Sequence, residues 1–500
     1  MYATESDLQT VRTLITYIKN SMLTEAEIRE LDKTADMKIS AIYKEYNTWL
    51  REQKLMDYDD QMVYAYTMLQ RFPELLRLYQ DKFPYLCVDE AQDTSKIQHA
   101  IIALLSSRTE NLFMVGDEDQ SIYGFRAAYP EALLSFEKNH PGAKVLLMEE
   151  NFRSGAGIVK AADTFIQKNT LRHKKHMRAV KDGEEVVKEI AVKTRDDQYR
   201  YLAAVAENCA AAGASHTVAV LYRDHECALP LIDLLERKEI PYRMRNAEIS
   251  FFTHRTVLDV LNIMKLAMHP KDAETFLQVY YKINTYIRKE DALQIARISE
   301  TQDISVWNAA VRYHGLSDYT MSSVQNTRMH MQQLLTERGD KAVKRILYYM
   351  GYQEYLERCG LKADKIEILR ILGSREDSMA GLLQRLRELQ DILTRKETDY
   401  SCNFILSTIH ASKGLEYDTV YLMDVTDGIL PAQMLKNPEK ASREERETYE
   451  EERRLFYVGA TRAKSELYVF TTGKPHSFCK ELLSHPVTCR VKRKGIPSTP

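Results

Sequence analysis

The chain has 500 residues, which at about 150 residues per domain is enough for three domains. Its 44% hydrophobic and 28% charged residues are typical of globular proteins, and the low counts of Gly (18) and Pro (13) exclude collagen-like and low-complexity chains. Because 70 Lys and Arg nearly balance 72 Asp and Glu, the net charge of −2 does not indicate a nucleic-acid partner, which only local sites can reveal.

The sequence contains no stretch that predicts membrane insertion or export. Apolar runs such as residues 100–105 are far shorter than the ~20 residues that cross a bilayer. Charged Glu5, Asp7 and Arg12 interrupt the N-terminal stretch, unlike the apolar core of a signal peptide. The seven cysteines form no CxxC pair, which favours reduced thiols over a disulfide framework or a zinc site. We therefore expect a cytoplasmic protein with no membrane partner.

Residues 1–83 predict a helical subdomain without strands. Apolar residues recur at helical spacing between Leu8 and Ile18. Thr24 and Glu27 form a candidate capping box at the start of a second helix.

Short apolar runs that lead into acidic residues begin near residue 84. The first three lie at 85–88, 112–115 and 145–147. Short buried strands that alternate with helices predict a parallel α/β sheet. Similar runs recur at 186–192, 218–222, 404–407, 420–423 and 467–470.

Between residues 271 and 400 the strand-like runs disappear and the pattern becomes helical. The sequence therefore predicts an α/β domain that begins near residue 84, is interrupted by a helical insertion at 271–400 and resumes at 401.

Asp89 and Glu90 follow the first apolar run, at the carboxyl end of a predicted strand, where α/β sheets bind ligands. Asp89 is a candidate Mg²⁺ ligand, because Mg²⁺ prefers carboxylate and phosphate oxygens. Glu90 is a candidate to orient or deprotonate an attacking water. For this segment alone, a solvated Asp–Glu pair is an equally good interpretation.

A second candidate site at residues 116–126 follows the next apolar run. Gln120 carries a neutral amide that is suited to sense a phosphate or a water. Tyr123, Phe125 and Arg126 form an aromatic and basic cluster of the kind on which unpaired bases stack. Taken alone, the segment is more typical of an acidic turn with one aromatic residue in the core.

Three more charged segments lie at 149–154, 407–417 and 451–463. In the first, Arg153 is suited to neutralise a phosphoryl group and Phe152 to stack on a base. In the third, an arginine on a helix that faces a neighbouring domain is suited to act as an arginine finger. Each segment alone is more typical of a charge cluster that flanks a helix.

The five segments, in this order, resemble the motifs of the UvrD/Rep family of superfamily-1 DNA helicases. The resemblance runs from Met56-Asp57-Tyr58-Asp59-Asp60 to near residue 470. Residues 218–223 are similar to the family's strand before its large insertion, which residues 272–400 match only in position. The resemblance implies an α/β fold with two RecA-like motor domains of the P-loop NTPase type, the first of them incomplete. Residues 1–83 would belong to a helical insertion in that first domain.

The resemblance implies a role for each residue that matches a motif. Asp89 and Glu90 match the Walker B pair, which coordinates the metal and activates water. Gln120 matches the glutamine that reports the γ-phosphate. Arg153 and Arg462 match the two arginines that reach the γ-phosphate from the second motor domain.

Further residues match the nucleotide-binding motifs of the family. Phe152 matches the aromatic residue that stacks on adenine, which is commonly Tyr, and Glu416 matches the acid that contacts the ribose. Gly414, together with Lys413, completes that motif.

Residues of two motifs match the family's contacts with the DNA strand. Tyr123, Phe125 and Arg126 match the segment that lines the single-strand channel, where the family often has Trp in place of Phe125. Thr408 and His410 match residues close to the DNA strand.

The resemblance implies a translocase that uses ATP and Mg²⁺ on single-stranded DNA, usually 3′ to 5′, and unwinds duplex junctions. Repair or replication proteins are the implied partners. The sequence departs from the family in lacking G-x-x-x-x-G-K-[ST] upstream of Asp89. The nearest match, Thr472-Gly473-Lys474-Pro475, has Pro475 in place of Ser or Thr and follows the last predicted strand.

The missing loop leaves several interpretations open. The resemblance implies that the chain begins inside the helical insertion of the first motor domain, as a truncated gene product, an incomplete gene model or an expressed fragment. The function is then that of a DNA helicase, or of an inactive remnant that binds single-stranded DNA or a partner protein. The helicase half of a helicase–nuclease is disfavoured, because too few residues follow Phe470 for a nuclease domain.

Overall fold

A computed structural model describes residues 5–34, 37–124, 127–181, 186–212, 216–244, 250–395, 399–435 and 440–484. The chain divides into two compact units. The first unit consists of Met1–Ser6, Asp196–Ala214 and Asp224–Leu406, and the second of Asp7–Arg195, Ser215–Arg223 and Ser407–Pro500. None of the described helices combines the length and the apolar composition that a membrane crossing requires.

The chain begins with five helices, which confirms the helical prediction for this segment. They are α1 (Glu5–Asn20), α2 (Glu25–Thr34), α3 (Ile39–Gln53), α4 (Tyr58–Arg71) and α5 (Pro73–Lys82). The predicted capping box is present at α2, where the Thr24 amide donates to Glu27 Oε2 at 2.7 Å and the Glu27 amide donates to Thr24 Oγ1 at 3.4 Å. The side chain of Asp57 caps α4 in the same way, with Asp60 as its partner.

Two short strands follow and pair in parallel. The elements are β1 (Leu86–Val88), α6 (Lys96–Ser106), β2 (Leu112–Met114), α7 (Glu131–Leu134) and α8 (Phe136–Asn139). Cys87 lies opposite Phe113, and both are exposed, Phe113 to 61%. The strands are where the sequence predicts them, but the prediction that they are buried is wrong for this face. Among the described residues, no layer covers it.

The predicted strand at residues 145–147 is wrong. These residues lie outside regular structure and are 40 to 82% exposed. An apolar run forms a strand only where a neighbouring strand is available to pair with it. The strand lies instead at the next, more polar residues, which an apolar pattern does not reveal.

The next elements are β3 (Glu150–Gly155), α9 (Ala156–Ile166), β4 (Arg178–Lys181), β5 (Val186–Ala191), α10 (Arg195–Ala212) and β6 (Val218–Tyr222). β3 and β4 pair in parallel. The Asn151 side chain accepts hydrogen bonds from the amides of Arg153 and Ser154, which fixes the backbone next to Phe152.

The first unit is mainly helical, as the sequence predicts for residues 271–400. Its further elements are α11 (Leu229–Arg237), β7 (Arg243–Met244), α12 (Arg255–Met268), α13 (Ala273–Val279), α14 (Lys289–Gln302), α15 (Val306–Arg312), α16 (Asp318–Leu334), α17 (Gly339–Lys344), α18 (Tyr352–Arg358), α19 (Asp364–Gly373), α20 (Met379–Arg395) and the start of β8 (Phe404–Thr408). The unit already includes residues from Asp224 onward, because α11 and α12 pack against α19.

The chain then completes a parallel sheet in the second unit. The remaining elements are α21 (Ile409–Ser412), β9 (Tyr417–Leu422), α22 (Arg443–Ala460), β10 (Ala463–Thr471) and α23 (Ser477–Leu482). In this unit the strand order is β5–β10–β9–β6, and every pair is parallel. Val220 and Leu467 are completely buried, and α22 buries Phe456. The predicted parallel α/β architecture is therefore confirmed here, and Arg462 lies in the turn between α22 and β10.

A buried ion pair holds α1 to α4. Lys19, whose side chain is 2% exposed, lies 2.6 Å from Asp57 and 2.7 Å from Asp60. Burial opposes the charge on Lys19, yet its hydrogen bonds to the two carboxylates raise its pKa. Burial also opposes the charge on Asp57, yet the hydrogen bond from Lys19 lowers the pKa of that carboxyl.

We expect Lys19→Met to lower the free energy of unfolding by about 3 kcal/mol at pH 7 and to have a much smaller effect at pH 2.5. The lowered carboxyl pKa stabilises the fold above its ordinary value of 3.8, and this contribution is lost as the pH falls through the lowered pKa. The raised pKa of Lys19 stabilises the fold below 10.5 and is lost only above it.

Thermal melts followed by circular dichroism at both pH values measure the difference. Lys33→Met is the control, because the Lys33–Glu30 pair is largely exposed. A deficit of the Lys19 variant that persists undiminished at pH 2.5 would contradict the ion-pair account.

Candidate functional site

The first candidate site lies where β1 ends. Glu90 adopts the left-handed backbone conformation (φ 50°), and its amide donates to Asp89 Oδ1 at 2.9 Å. Gln92 donates to Glu90 Oε2 at 2.5 Å. Both carboxylates are exposed. Strained backbone of this kind is concentrated at functional sites, where the surrounding structure holds it in place.

Gln92 joins the ends of β1 and β2. Its Oε1 accepts a hydrogen bond from the Asp117 amide at 2.9 Å. A Cβ atom on Gly116 would lie only 2.6 Å from the same oxygen, so the close approach requires glycine there. The sequence-predicted sites at Glu90 and at Gln120 are therefore brought together by a residue that sequence reasoning did not single out.

A cluster of buried charges fixes the turn that carries Gln120. Arg172 binds Asp119 through Nε at 2.9 Å and through Nη2 at 2.7 Å. Lys175 Nζ lies 2.6 Å from Asp117 Oδ1 and 3.0 Å from Glu118 Oε1. Burial disfavours the charge on Lys175, yet the charges of the three carboxylates together raise its pKa. The three carboxylates lie close enough to share a metal ion. Each of them already contacts Arg172 or Lys175, which offset two of the three negative charges.

Arg462 contacts Gln120 directly. The residue is 1% exposed, and its Nη2 donates to Gln120 Oε1 at 3.2 Å, while Nε and Nη1 donate to the carbonyl oxygens of Val458 and Leu415. In the described part of the chain its guanidinium bonds only to neutral oxygens. Burial and the nearby charge of Arg153 lower the pKa of Arg462 to about 10.

Glu452, the carboxylate that could have paired with Arg462, is engaged elsewhere. It accepts hydrogen bonds from Arg223 Nη1 at 2.5 Å and from the Ala432 amide at 2.9 Å. A purely structural Arg462–Glu452 pair is therefore not present.

Arg153 lies at the surface end of the same site. Its Nε donates to Glu416 Oε2 at 3.2 Å, and Lys464 lies 2.8 Å from the other carboxylate oxygen. The hydrogen bond from Lys464, helped by that from Arg153, lowers the pKa of Glu416. The neighbouring Phe152 is 65% exposed, so its ring is available for stacking. Gly414, at φ 78°, provides the left-handed turn two residues before Glu416.

The candidate DNA-binding residues lie beside the Gln120 turn. The Tyr123 hydroxyl donates to the His410 carbonyl oxygen at 3.1 Å, and the two rings are 6.0 Å apart. Thr408 is buried, and its Oγ1 accepts from the Ala411 amide at 3.1 Å, so this hydroxyl caps α21. Phe125 and Arg126 lie outside the described residues.

Lys413 links the three candidate segments. Its Nζ lies 2.5 Å from Asp93 Oδ2 and 2.7 Å from the Gln120 carbonyl oxygen, and it stands over the Tyr123 ring at 5.4 Å. Burial raises the pKa of Asp93 in spite of this charge. The sequence indicated Lys413 only as part of a motif, because nothing in a linear pattern shows which distant groups a lysine will bridge.

The residues fit part of a nucleotide site. Asp89 and Glu90 are exposed carboxylates of the kind that Mg²⁺ prefers, and Phe152 offers a free face to a base. The sequence contains no glycine-rich loop of the G-x-x-x-x-G-K-[ST] type to surround a triphosphate. The residues that the sequence predicts for the metal and the base are therefore exposed, and the sequence lacks the glycine-rich loop motif.

This parallel α/β fold, with carboxylates at a strand end and a buried arginine on an amide, is that of a nucleotide-driven motor protein. Family models identify it further. The UvrD/REP helicase N-terminal domain matches residues 3–141, and the UvrD-like helicase C-terminal domain matches residues 146–474. The chain belongs to the UvrD-like helicase family, which confirms the resemblance seen in its motifs.

Curated relatives carry names that agree with this assignment. The chain is 28% identical over 443 residues to YjcD of Bacillus subtilis (strain 168), which is provisionally named an ATP-dependent DNA helicase; the match covers 87% of this chain and 57% of YjcD. It is 27% identical over 478 residues to the ATP-dependent DNA helicase PcrA of Staphylococcus epidermidis, covering 91% of this chain and 64% of PcrA. The chain therefore spans less than two thirds of the length of these relatives.

Two buried arginines of this unit should respond oppositely to the loss of their charge. Arg453 is buried, bonds to Glu481 and stands over the Phe165 ring at 4.9 Å. We expect Arg453→Met to lower the free energy of unfolding by about 2 kcal/mol, because Glu481 then keeps only the half-exposed Lys168 as its cation. We expect Arg462→Met to raise the free energy of unfolding by about 1 kcal/mol, because the lowered pKa shows that its charge is buried at a loss.

Urea denaturation of both variants, followed by tryptophan fluorescence and circular dichroism, measures the two changes. An equal loss of stability in both variants would show that Arg462 is a structural cation like Arg453.

Proposed function

We propose that the protein is an ATP-dependent DNA helicase motor that moves 3′ to 5′ on single-stranded DNA and unwinds duplex junctions. The observation that carries this proposal is the contact between Arg462 and Gln120, in which a buried guanidinium bonds to a neutral amide and, among the described residues, to no carboxylate. A cation that bonds to no carboxylate is suited to a negative charge that arrives with a ligand and grows during reaction.

The exposed carboxylates at the end of β1 are assigned to the metal and to water. Asp89 would hold Mg²⁺, and Glu90 would orient the attacking water and take its proton. Bound ATP with Mg²⁺ supplies the phosphoryl group and the charge that its transfer develops. The strained backbone of Glu90 and its bond from Gln92 hold the carboxylate in one orientation.

The two arginines and Gln120 are assigned to the γ-phosphate. Arg462 and Arg153 would stabilise the charge on its oxygens, and Gln120 would report its presence through the bond to Arg462. Phe152 would stack on adenine, and Glu416, next to the left-handed turn at Gly414, would bind the ribose. Arg153 and Glu416 are bonded to each other. The same ion pair would therefore be engaged both when Glu416 binds the ribose and when Arg153 binds the γ-phosphate.

The DNA strand is assigned to the residues that follow Gln120. Tyr123, Phe125 and Arg126 would stack on bases and neutralise phosphates, with Thr408 and His410 beside them. The bond between Tyr123 and the His410 carbonyl supports a shared surface for these two segments.

The proposed domains follow the sequence pattern. We assign residues 84–145 to a first motor domain, 146–270 and 401–500 to a second, and 1–83 and 271–400 to helical subdomains. The match to the N-terminal family model ends at residue 141 and the match to the C-terminal model begins at 146, which supports the boundary between the two motor domains at 145. Repair or replication proteins are the partners that fit such a motor.

A second candidate function is that of an inactive remnant that binds single-stranded DNA or a partner protein. The observation that favours it is the lack of a phosphate-binding loop in the 500 residues. The two candidate functions differ in whether the residues assigned to the nucleotide bind and hydrolyse ATP.

We expect the 500-residue chain to hydrolyse ATP only slowly, even with single-stranded DNA, because no glycine-rich loop holds the triphosphate. Glu90→Gln should leave this low rate unchanged. In a chain extended by a P-loop segment, the same variant should bind ATP but not turn it over. Phosphate release with and without oligo(dT) measures both rates.

Glu110→Gln is a matched control, since Glu110 is also exposed with a positive φ but lies away from the strand end. Rapid DNA-stimulated hydrolysis that Glu90→Gln abolishes would refute the first expectation and support the role of Glu90.

We expect the chain to bind single-stranded DNA weakly and with an affinity that falls as salt rises, because phosphate contacts release counterions. Phe125→Ala should weaken binding about tenfold, since stacking on one aromatic side chain contributes about 1–3 kcal/mol per base. Fluorescence anisotropy with labelled oligo(dT) measures the affinity. Phe83→Ala, which removes an exposed ring outside the candidate DNA segments, is the control; equal affinities for both variants would remove Phe125 from the DNA site.

A further inference from the structure

Residues 120–124 carry a candidate nucleotide group at one end and a candidate DNA group at the other. Gln120 bonds to Arg462, and Tyr123 bonds to the His410 carbonyl. Only two residues separate Gln120 from Tyr123, so a shift of the backbone between them moves both side chains.

Helix α22 holds this backbone at two points. Glu451 Oε1 accepts a hydrogen bond from the Gly124 amide at 3.0 Å, and Arg454 Nε donates to the Ser121 carbonyl oxygen at 2.9 Å. Glu451 and Arg454 are three residues apart on one helix, so their side chains lie on the same face. A hydrogen bond from an amide to a carboxylate, or from a guanidinium to a carbonyl oxygen, is charge-assisted. Such bonds are stronger than hydrogen bonds between neutral groups.

The same helix also sets the position of Arg462. α22 ends at Ala460, and Arg462 follows two residues later, with its Nε bonded to the Val458 carbonyl oxygen of the last turn. One rigid element therefore fixes the backbone of residues 121–124 and the guanidinium that contacts Gln120.

The carboxylate of Glu451 occupies the space where a side chain at position 124 would begin. A Cβ atom on Gly124 would lie 2.7 Å from Oε1 and 2.8 Å from Oε2 of Glu451. Any side chain at position 124 would thus push the carboxylate away from the amide that it accepts from.

We propose that Glu451 and Arg454 are positioning residues that fix the DNA-facing Tyr123 relative to Gln120, with α22 as the rigid link between the DNA site and the nucleotide site. This inference rests on the proposed function, because it assigns regulation to the same site. Neither residue is assigned a contact with DNA or nucleotide. Each acts through the main chain of residues 121–124.

The affinity of the unextended 500-residue chain for labelled oligo(dT), measured by anisotropy, tests this role. Glu451→Ala should weaken binding about tenfold, and Gly124→Ala should weaken it to a similar degree by displacing the carboxylate. Glu451→Gln should bind within about twofold of the unaltered chain, because its amide oxygen still accepts from Gly124. The double variant Gly124→Ala/Glu451→Ala should be no weaker than either single variant, since both remove the same contact.

Two measurements separate positioning from mere stability. Glu447→Ala, one turn earlier on α22 and paired at the surface with Arg443, is the matched control and should leave the affinity unchanged. Hydrogen exchange of the peptide containing residues 120–124 should speed up in Glu451→Ala and not in Glu451→Gln, while the thermal midpoints stay within a few degrees of each other.

Each outcome decides between the possibilities. Weaker binding in Glu451→Ala that Glu451→Gln restores supports the proposal. Faster exchange with unchanged DNA affinity overturns it and leaves Glu451 as a structural contact. Additive losses in the double variant also overturn it. If the unaltered chain does not bind oligo(dT), the proposed DNA site fails and the positioning role fails with it, a result distinct from the other two.

Discussion

The site in the second unit depends on one buried guanidinium that, in the part of the chain that the structure describes, bonds to no carboxylate. Arg462 is held by carbonyl oxygens of its own helix end and of the segment before β9, and it meets Gln120 with its remaining nitrogen. Such a charge opposes folding unless its surroundings are stabilised in other ways. The clamp of Arg172 and Lys175 on the acidic turn, and the bond of Lys413 to the Gln120 carbonyl, supply that stabilisation. Other side chains thus hold the turn that carries Gln120, and Arg462 stays available for a negatively charged ligand.

Much of the fold can be predicted from the sequence, because buried parallel strands appear in it as apolar runs. The runs at 218–222 and 467–470 form central strands, and most of their side chains are buried. β3 escaped detection because its residues are polar and it pairs only with β4. The run at 145–147 misled for the opposite reason, since it is apolar but has no strand to pair with.

The sequence predicted which residues belong to the candidate site, but not the hydrogen bonds and ion pairs that hold them in place. Asp89, Gln120 and Arg462 were indicated by motif order, which a linear pattern records well. The turn that carries Gln120 is held by bonds that Gln92, Arg172 and Lys175 make with residues 117 and 119, and these bonds depend on distances across the fold. The charged runs 117–119 and 172–175 are complementary in sign, which is the one signal in the sequence that could have indicated their pairing. Thr408 shows the reverse case, because a residue expected near DNA is buried and caps a helix.

The exposed face of the β1–β2 pair has a consequence for how the protein behaves at high concentration. Among the described residues this sheet has two strands, so each strand is an edge. An edge with an exposed Phe113 offers both main-chain groups and an apolar surface to another chain. Neither strand carries a charged residue or a proline, the usual protections against such pairing. Self-association should therefore begin at this face, and a lysine placed on β2 should make the protein easier to keep in solution.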